Sequence, residues 1–380
     1  MIKSVLFRED NVYKAFPDLV ECGDGTWVCV YRESLGHTAL PFGRIACHRS
    51  SDGGRTWSEK AVVDEVTDPE TEGRLNNPRL LALDGSEVLL ICDLLPRLEP
   101  EHHPDSEILI YRSTDSGRTW SERASTGIRS HICPCIFRTK AGEIIIGADR
   151  VGPRDDRDVV WLHNAFTSAD GGRTWGPAIH VCSNPELWLN EGTYVELDDG
   201  TLVCYLREDL QRAIGHKAIS QDGGKTWSGP YPTFLTCCVG RPRAGILHSG
   251  EVAIVHGFQR LTPPRNLVLH VETQAIAADP DCTANYARQA GHRYFFIDHD
   301  RSIHCDGAYS GWVQRPSGDL FVVQYINDDG PYAHIRSYEI GRSDWILCPE
   351  GDLLLEPPRW PGYVDRAAVA SGELYGEKHL

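Results

Sequence analysis

The chain has 380 residues, 41% of them hydrophobic, with 36 glycines and 23 prolines, the composition of a globular protein rich in turns. A formal net charge of −16 argues against nucleic acid and anionic membranes as partners, but leaves room for a locally basic site that takes a small anion. The N-terminal MIKSVLFRED has no apolar stretch of signal length, and no run approaches the ~20 apolar residues of a membrane span.

Thirteen cysteines, several in apolar runs (Cys29, Cys47, Cys92, Cys204), read as free buried thiols, so the expected location is the cytoplasm. His131-x-Cys133-x-Cys135 has no second ligand pair at metal-site spacing, and neither a metal nor a cofactor is expected.

Along the chain, a first strand is predicted at residues 2–7. Then an apolar strand, a Gly-bearing turn and a second apolar strand recur six times, starting at Pro17, Pro78, Pro134, Thr193, Pro242 and Tyr309. The turn glycines Gly25, Gly85, Gly142, Gly200, Gly250 and Gly318 are 60, 57, 58, 50 and 68 residues apart, room for one four-stranded sheet each. Between hairpins, Ser-x-Asp-x-Gly-x-Thr-Trp occurs at residues 50–57, 113–120, 168–175 and 220–227.

The box chemistry is local: an Asp accepts backbone N–H groups in a tight turn, Gly supplies positive φ and Trp anchors the turn. The boxes therefore report the fold and not the site. The longest interval, residues 272–300, lacks a box and accommodates a short helical insert. A strand at 335–340 is expected to pair with 2–7 and close the ring, and 362–380 is a candidate docked tail. The expected architecture is all-β, a single six-bladed β-propeller domain over residues 1–380 with four-stranded antiparallel blades.

Boxes and hairpins together resemble the sialidase (neuraminidase) superfamily of six-bladed propellers. The resemblance implies a Tyr nucleophile activated by Glu, an Asp acid/base and three arginines that clamp a carboxylate. A phenol suits an anomeric carbon that already bears a carboxylate, because an anionic nucleophile would be repelled there. Guanidinium forks suit the carboxylate through paired, charge-assisted bonds.

On this resemblance Asn190-Glu191 supplies the activating Glu191, and Arg207 one clamp arginine. Gly240-Arg241-Pro242-Arg243 supplies the last clamp arginine, Arg241 or Arg243, and Ala308-Tyr309-Ser310 the nucleophile Tyr309. Two positions depart. Ala15-Phe16-Pro17 stands where the family has Arg-Ile-Pro, with Lys14 pointing to the other strand face. The loop 33–44 has no Asp, so His37 or Glu33 must serve the leaving oxygen.

Arg79, Arg150, Asp18 and His131, at strand ends or starts, are further substrate-binding candidates. The expected function is a sialidase-like glycoside hydrolase acting on a terminal acidic sugar, its partner an anionic carbohydrate. A uronic-acid lyase and a non-catalytic glycan-binding propeller are the alternatives. The sequence says nothing of oligomeric state.

Overall fold

The computed structural model describes residues 1–38, 40–96, 106–130, 134–151, 161–209, 214–236, 240–258, 265–284, 291–302 and 305–345. A compact unit spans Met1–Arg342, and a second unit, Ser343–Leu380, lies outside the described residues except for 343–345. The tail expected at 362–380 is therefore not described.

The described residues form six four-stranded antiparallel sheets. Five take consecutive strands, beginning at the inner strands Tyr13–Glu21, Arg74–Ala82, Cys135–Arg138, Leu189–Glu196 and Arg243–Ile246 (blades 1 to 5). The sixth joins the N-terminal strand Ile2–Phe7 to Gly307–Gln314, Leu320–Ile326 and His334–Ile340, with Ile2 opposite Glu339 and Ser4 opposite Ser337. The ring closes as the sequence predicts, and a helical turn, Gln274–Ala277, occupies the expected insert. Among the described residues no helix is long and apolar enough to cross a membrane.

The continuous apolar runs follow from burial of the second strands on both faces. In blade 1, Val28 and Val30 pack toward blade 2 with Val88 and Leu90, while Cys29 and Tyr31 pack toward blade 6 with Phe321 and Val323. In blade 2, Leu89 and Ile91 turn the other way, against Ile144 and Ile146 of blade 3. Alternate residues of one strand thus fill two seams. The nine described cysteines are free and eight of them are buried. Burial pushes Cys47 up to about 12, so this thiol packs as an inert apolar group.

Each box links the third and fourth strands of its blade. Asp52 Oδ1 accepts from Arg55 N at 3.0 Å and Thr56 N at 2.9 Å, and Oδ2 from Thr56 Oγ1 at 2.6 Å. Asp115, Asp170 and Asp222 make the matching Thr contacts. Gly54, at φ +84, sits where a Cβ would lie 2.8 Å from the Trp27 ring, so neither the conformation nor the space admits another residue.

Candidate active site

One backbone device recurs where the inner strands enter the hub. In blades 1, 2, 4 and 6 the ladder slips by one residue, between Ala15 and Asp18, Asn76 and Arg79, Asn190 and Thr193, and Gly307 and Ser310. The extra residue takes a left-handed conformation: Phe16 (φ 56), Asn77 (φ 47), Glu191 (φ 50) and Ala308 (φ 72). Such a non-Gly residue costs roughly 1–3 kcal/mol and persists only where its surroundings enforce it. Opposite the start of each bulge, at the end of the second strand, stand Arg32, Asp93, Arg207 and Ile326. The same backbone thus presents four different side-chain pairs.

In blade 4 the pair is Glu191 and Arg207. Arg207 Nη1 donates to Glu191 Oε2 at 2.7 Å and to the Tyr309 hydroxyl at 3.1 Å, and Nη2 pairs with Asp209. Tyr309 donates to Glu191 Oε1 at 2.5 Å. Burial alone would raise the Glu191 carboxyl, but the charges of Arg207 and Arg241 and the Tyr309 hydrogen bond bring it down to about 2.

Arg241 lies with its guanidinium 4.8 Å from the Tyr309 ring centroid. It is 0% exposed, and none of its three nitrogens has a hydrogen-bond partner among the described residues. A buried guanidinium without an acceptor is costly unless an anion reaches it.

Asp149 of blade 3 fixes this arrangement from behind. Its Oδ2 accepts from Glu191 N at 2.8 Å, and its Oδ1 contacts His163 Nδ1 at 2.6 Å; His163 Nε2 in turn meets the Tyr194 hydroxyl at 2.9 Å.

His37 approaches from blade 1. Its Nδ1 lies 2.6 Å from Asp306 Oδ2. Asp306 also accepts from Tyr325 at 2.9 Å, from Arg265 Nη1 at 3.0 Å and from the Tyr13 hydroxyl. Although burial opposes ionisation, the hydrogen bond and charge of His37, with Arg265 and Tyr13, hold Asp306 far below the usual carboxylate range. The Phe16 ring separates this dyad from the nucleophile candidate, 5.3 Å from both His37 and Tyr309. Opposite Ala15, on the neighbouring strand, stands Arg32, its guanidinium 4.8 Å from the same ring.

The other sequence candidates fall elsewhere. Glu33 is 0% exposed and neutralised by Lys14, by Arg44 at 3.2 Å and by Lys60 at 3.1 Å. Lys14 does point to the other strand face, and it takes Glu33 with it, away from Arg32. Asp18, the first residue after the blade 1 bulge, is a structural pin. It accepts from Leu19 N at 3.0 Å and Leu80 N at 2.9 Å, and pairs with Arg79 at 3.3 Å and Arg243 at 3.4 Å. Asp18 is therefore shared by Arg79 and Arg243 one layer beyond the bulges. Arg243 also borders a recess at the opposite end of the hub with Val20, Leu80 and Phe137. Arg150 is exposed, while its neighbour Asp149 turns inward. His131 lies outside the described residues.

Sequence reasoning missed Arg32, Asp93, Asp149 and Asp306. Arg32 had a signal: Tyr31-Arg32-Glu33 ends its hairpin as Leu206-Arg207-Glu208 ends another. Asp93 did too, as an acidic residue closing the apolar run Val88–Cys92. Asp306 had none; it reaches His37 across 269 residues. Among the described residues no group of three or more His, Cys, Asp or Glu side chains converges as a metal site.

Six bladed sheets, Asp boxes and a hub of arginine, glutamate and tyrosine define a sialidase-type β-propeller. Residues 43–276 match the BNR repeat-like domain, and the chain belongs to that family. It is similar to the sialidase of Paraclostridium sordellii, 23% identical over 251 residues, which covers 59% of this chain and 60% of that one. It is also similar to the sialidase of Micromonospora viridifaciens, 29% identical over 248 residues, covering 59% of this chain and 37% of that one. The chain thus spans less than two thirds of either relative. Among solved structures, a protein of unknown function from Dyadobacter fermentans superposes with a TM-score of 0.74 at 19% identity, over 89% of this chain and 97% of that one.

Proposed function

We propose that the chain is a glycoside hydrolase that releases a terminal acidic sugar, with Tyr309 as nucleophile and Glu191 as its base. One observation carries this reading: the Tyr309 hydroxyl, bonded to a buried Glu191, lies beside a buried Arg241 whose guanidinium meets no acceptor among the described residues.

A carboxylate at about 2 is a weak base for a phenol, whose ordinary pKa is ~10. The sugar's own anion removes that obstacle. Once it pairs with Arg241 and Arg207, those cations no longer hold Glu191 down, and its basicity rises as the substrate arrives. Activation of Tyr309 is thereby tied to recognition of an anion.

In the first step the Tyr309 oxygen bonds to the anomeric carbon as its proton passes to Glu191. The glycosidic bond breaks, and the leaving oxygen takes a proton from His37, oriented by Asp306. In the second step His37 takes a proton from water, the water oxygen bonds to the anomeric carbon, and Tyr309 leaves with the proton held by Glu191. Two displacements retain configuration.

Hydrolysis of aryl glycosides of sialic acid, of a uronic acid and of a neutral sugar tests this. The acidic sugars should be cleaved and the neutral one spared, and Tyr309→Phe and Glu191→Gln should each lower kcat by ~10³-fold or more. Undiminished turnover in both variants would defeat the mechanism, and an ultraviolet-absorbing unsaturated product would mark a lyase instead.

A further inference from the structure

Blade 3 holds a buried row of polar groups that the mechanism above does not use. Asp149, on the second strand of the blade, stands directly opposite His163 on the third, and Tyr194 of blade 4 closes the row. The bonds run without a gap from the Tyr194 hydroxyl through the imidazole and the carboxylate to the backbone N–H of Glu191. Asp149, His163 and Tyr194 are 0%, 1% and 3% exposed, so the row acts on its neighbours and not on a ligand.

Two observations tie it to Glu191. The first is a contrast among the four left-handed bulge residues. Glu191 gives its N–H to Asp149, whereas among the described residues no side chain accepts from the backbone N of Phe16, Asn77 or Ala308. The second is the space kept for the imidazole. A Cβ at Gly192, next to Glu191, would lie 2.5 Å from His163 Nε2, and one at Gly147 would lie 3.0 Å from the same atom. Neither glycine has a positive φ, so room for the ring, and not backbone conformation, calls for glycine at both.

We infer that Asp149 and His163 are positioning residues for Glu191: they pin its strained peptide so that its carboxylate stays on the Tyr309 hydroxyl. The inference rests on the function proposed above and adds two residues that act through its base. A left-handed non-Gly residue relaxes unless its surroundings hold it. Relaxation at Glu191 would swing the carboxylate away from Tyr309, and a shift of ~1 Å at a reacting group costs ~10²-fold in rate. His163 occupies Asp149 Oδ1 and so leaves Oδ2 aimed at the amide. In Asp149→Asn the side-chain oxygen still accepts from Glu191 N, while its NH₂ donates to the other tautomer of His163. Geometry, and not charge, is what the pair supplies.

Steady-state kinetics on the acidic aryl glycosides tests this. Asp149→Ala and His163→Gln should each lower kcat ~10–100-fold and leave KM within about 3-fold. Asp149→Asn should keep kcat within about 5-fold. In a Glu191→Gln background, Asp149→Ala should cost nothing more, because the group it positions is already gone. His163→Gln keeps a polar tip for the Tyr194 hydroxyl and removes the donor to Asp149, a second route should Asp149→Ala not fold.

A loss repeated in full on top of Glu191→Gln would overturn the positioning role, as would unchanged kcat, or a loss in Asp149→Asn as deep as in Asp149→Ala. Full turnover in Glu191→Gln, or no cleavage of any glycoside, would bring down the proposed function alone. The pin is then read from the Glu191 amide proton in protein carrying isotope-labelled glutamate, the signal being the one that Glu191→Gln removes. Bonded to a buried carboxylate, that proton should move upfield in Asp149→Ala, and an unmoved signal would overturn the pair.

Discussion

The Asp boxes and the hub bulges are both repeated turns, yet they carry opposite kinds of information. The boxes repeat backbone and side chain alike: Ser, Asp and Thr make matching contacts in four blades, at the exposed rim. The bulges repeat only the backbone. Four left-handed residues are Phe, Asn, Glu and Ala, and the residues opposite the starts of their bulges are Arg, Asp, Arg and Ile. Where the side chains agree, the turn serves the fold. Where they diverge on a common frame, each blade contributes a different chemical group to one axis.

Substitutions at the two kinds of turn sharpen that contrast. At the hub, His37→Ala and Asp306→Asn should each lower kcat by ~10²–10³-fold on alkyl glycosides. The loss should be much smaller on nitrophenyl glycosides, whose leaving group needs no proton; equal losses on both substrates would return the dyad to a structural role. Arg241→Met should raise KM for the acidic substrate by ~10–100-fold and leave any slow cleavage of neutral sugars untouched, as steady-state kinetics would show.

Asp93→Asn should alter stability in a direction set by pH. Folding raises this carboxyl from its ordinary value, 3.8, to about 7, so ionising it disfavours the folded state, increasingly from about pH 4 upward and fully above pH 7. The neutral amide escapes that penalty. The variant should melt higher than the unsubstituted protein at pH 8 and alike at pH 4, measured by calorimetry.

The smallest effect belongs to the rim. Asp52→Asn should lower the melting temperature by a few degrees at most and leave kcat and KM unchanged. A kinetic change there would break the division between the two kinds of turn.

The fold was legible because its signals are local. A box is eight consecutive residues, and a hairpin is an apolar run, a Gly turn and another apolar run. The ring closure between residues 2–7 and 335–340 followed from the need to complete the last sheet. In the hub, Glu191, Arg207, Arg241 and Tyr309 were picked out by resemblance, and the structure brings them together.

Charged residues one layer further along the strands misled, because a charge at a strand end looks the same in sequence whether it meets a ligand or another blade. Asp18, Arg79 and Arg243 found one another. Glu33 was taken up by three cations on the outer face of its strand. Asp306 was invisible for the converse reason: nothing near it in the chain marks it, and His37, Tyr13 and Arg265 reach it from other blades.

The blade that carries Tyr309 is the one built from both ends of the propeller. During synthesis the first strand leaves the ribosome hundreds of residues ahead of the strand it must pair with, and it waits until residues 335–339 have been made. The sheet that carries Tyr309 is thus completed last, after the other five can already have formed. A complete hub should therefore emerge in one late step when the belt is buckled, rather than grow blade by blade.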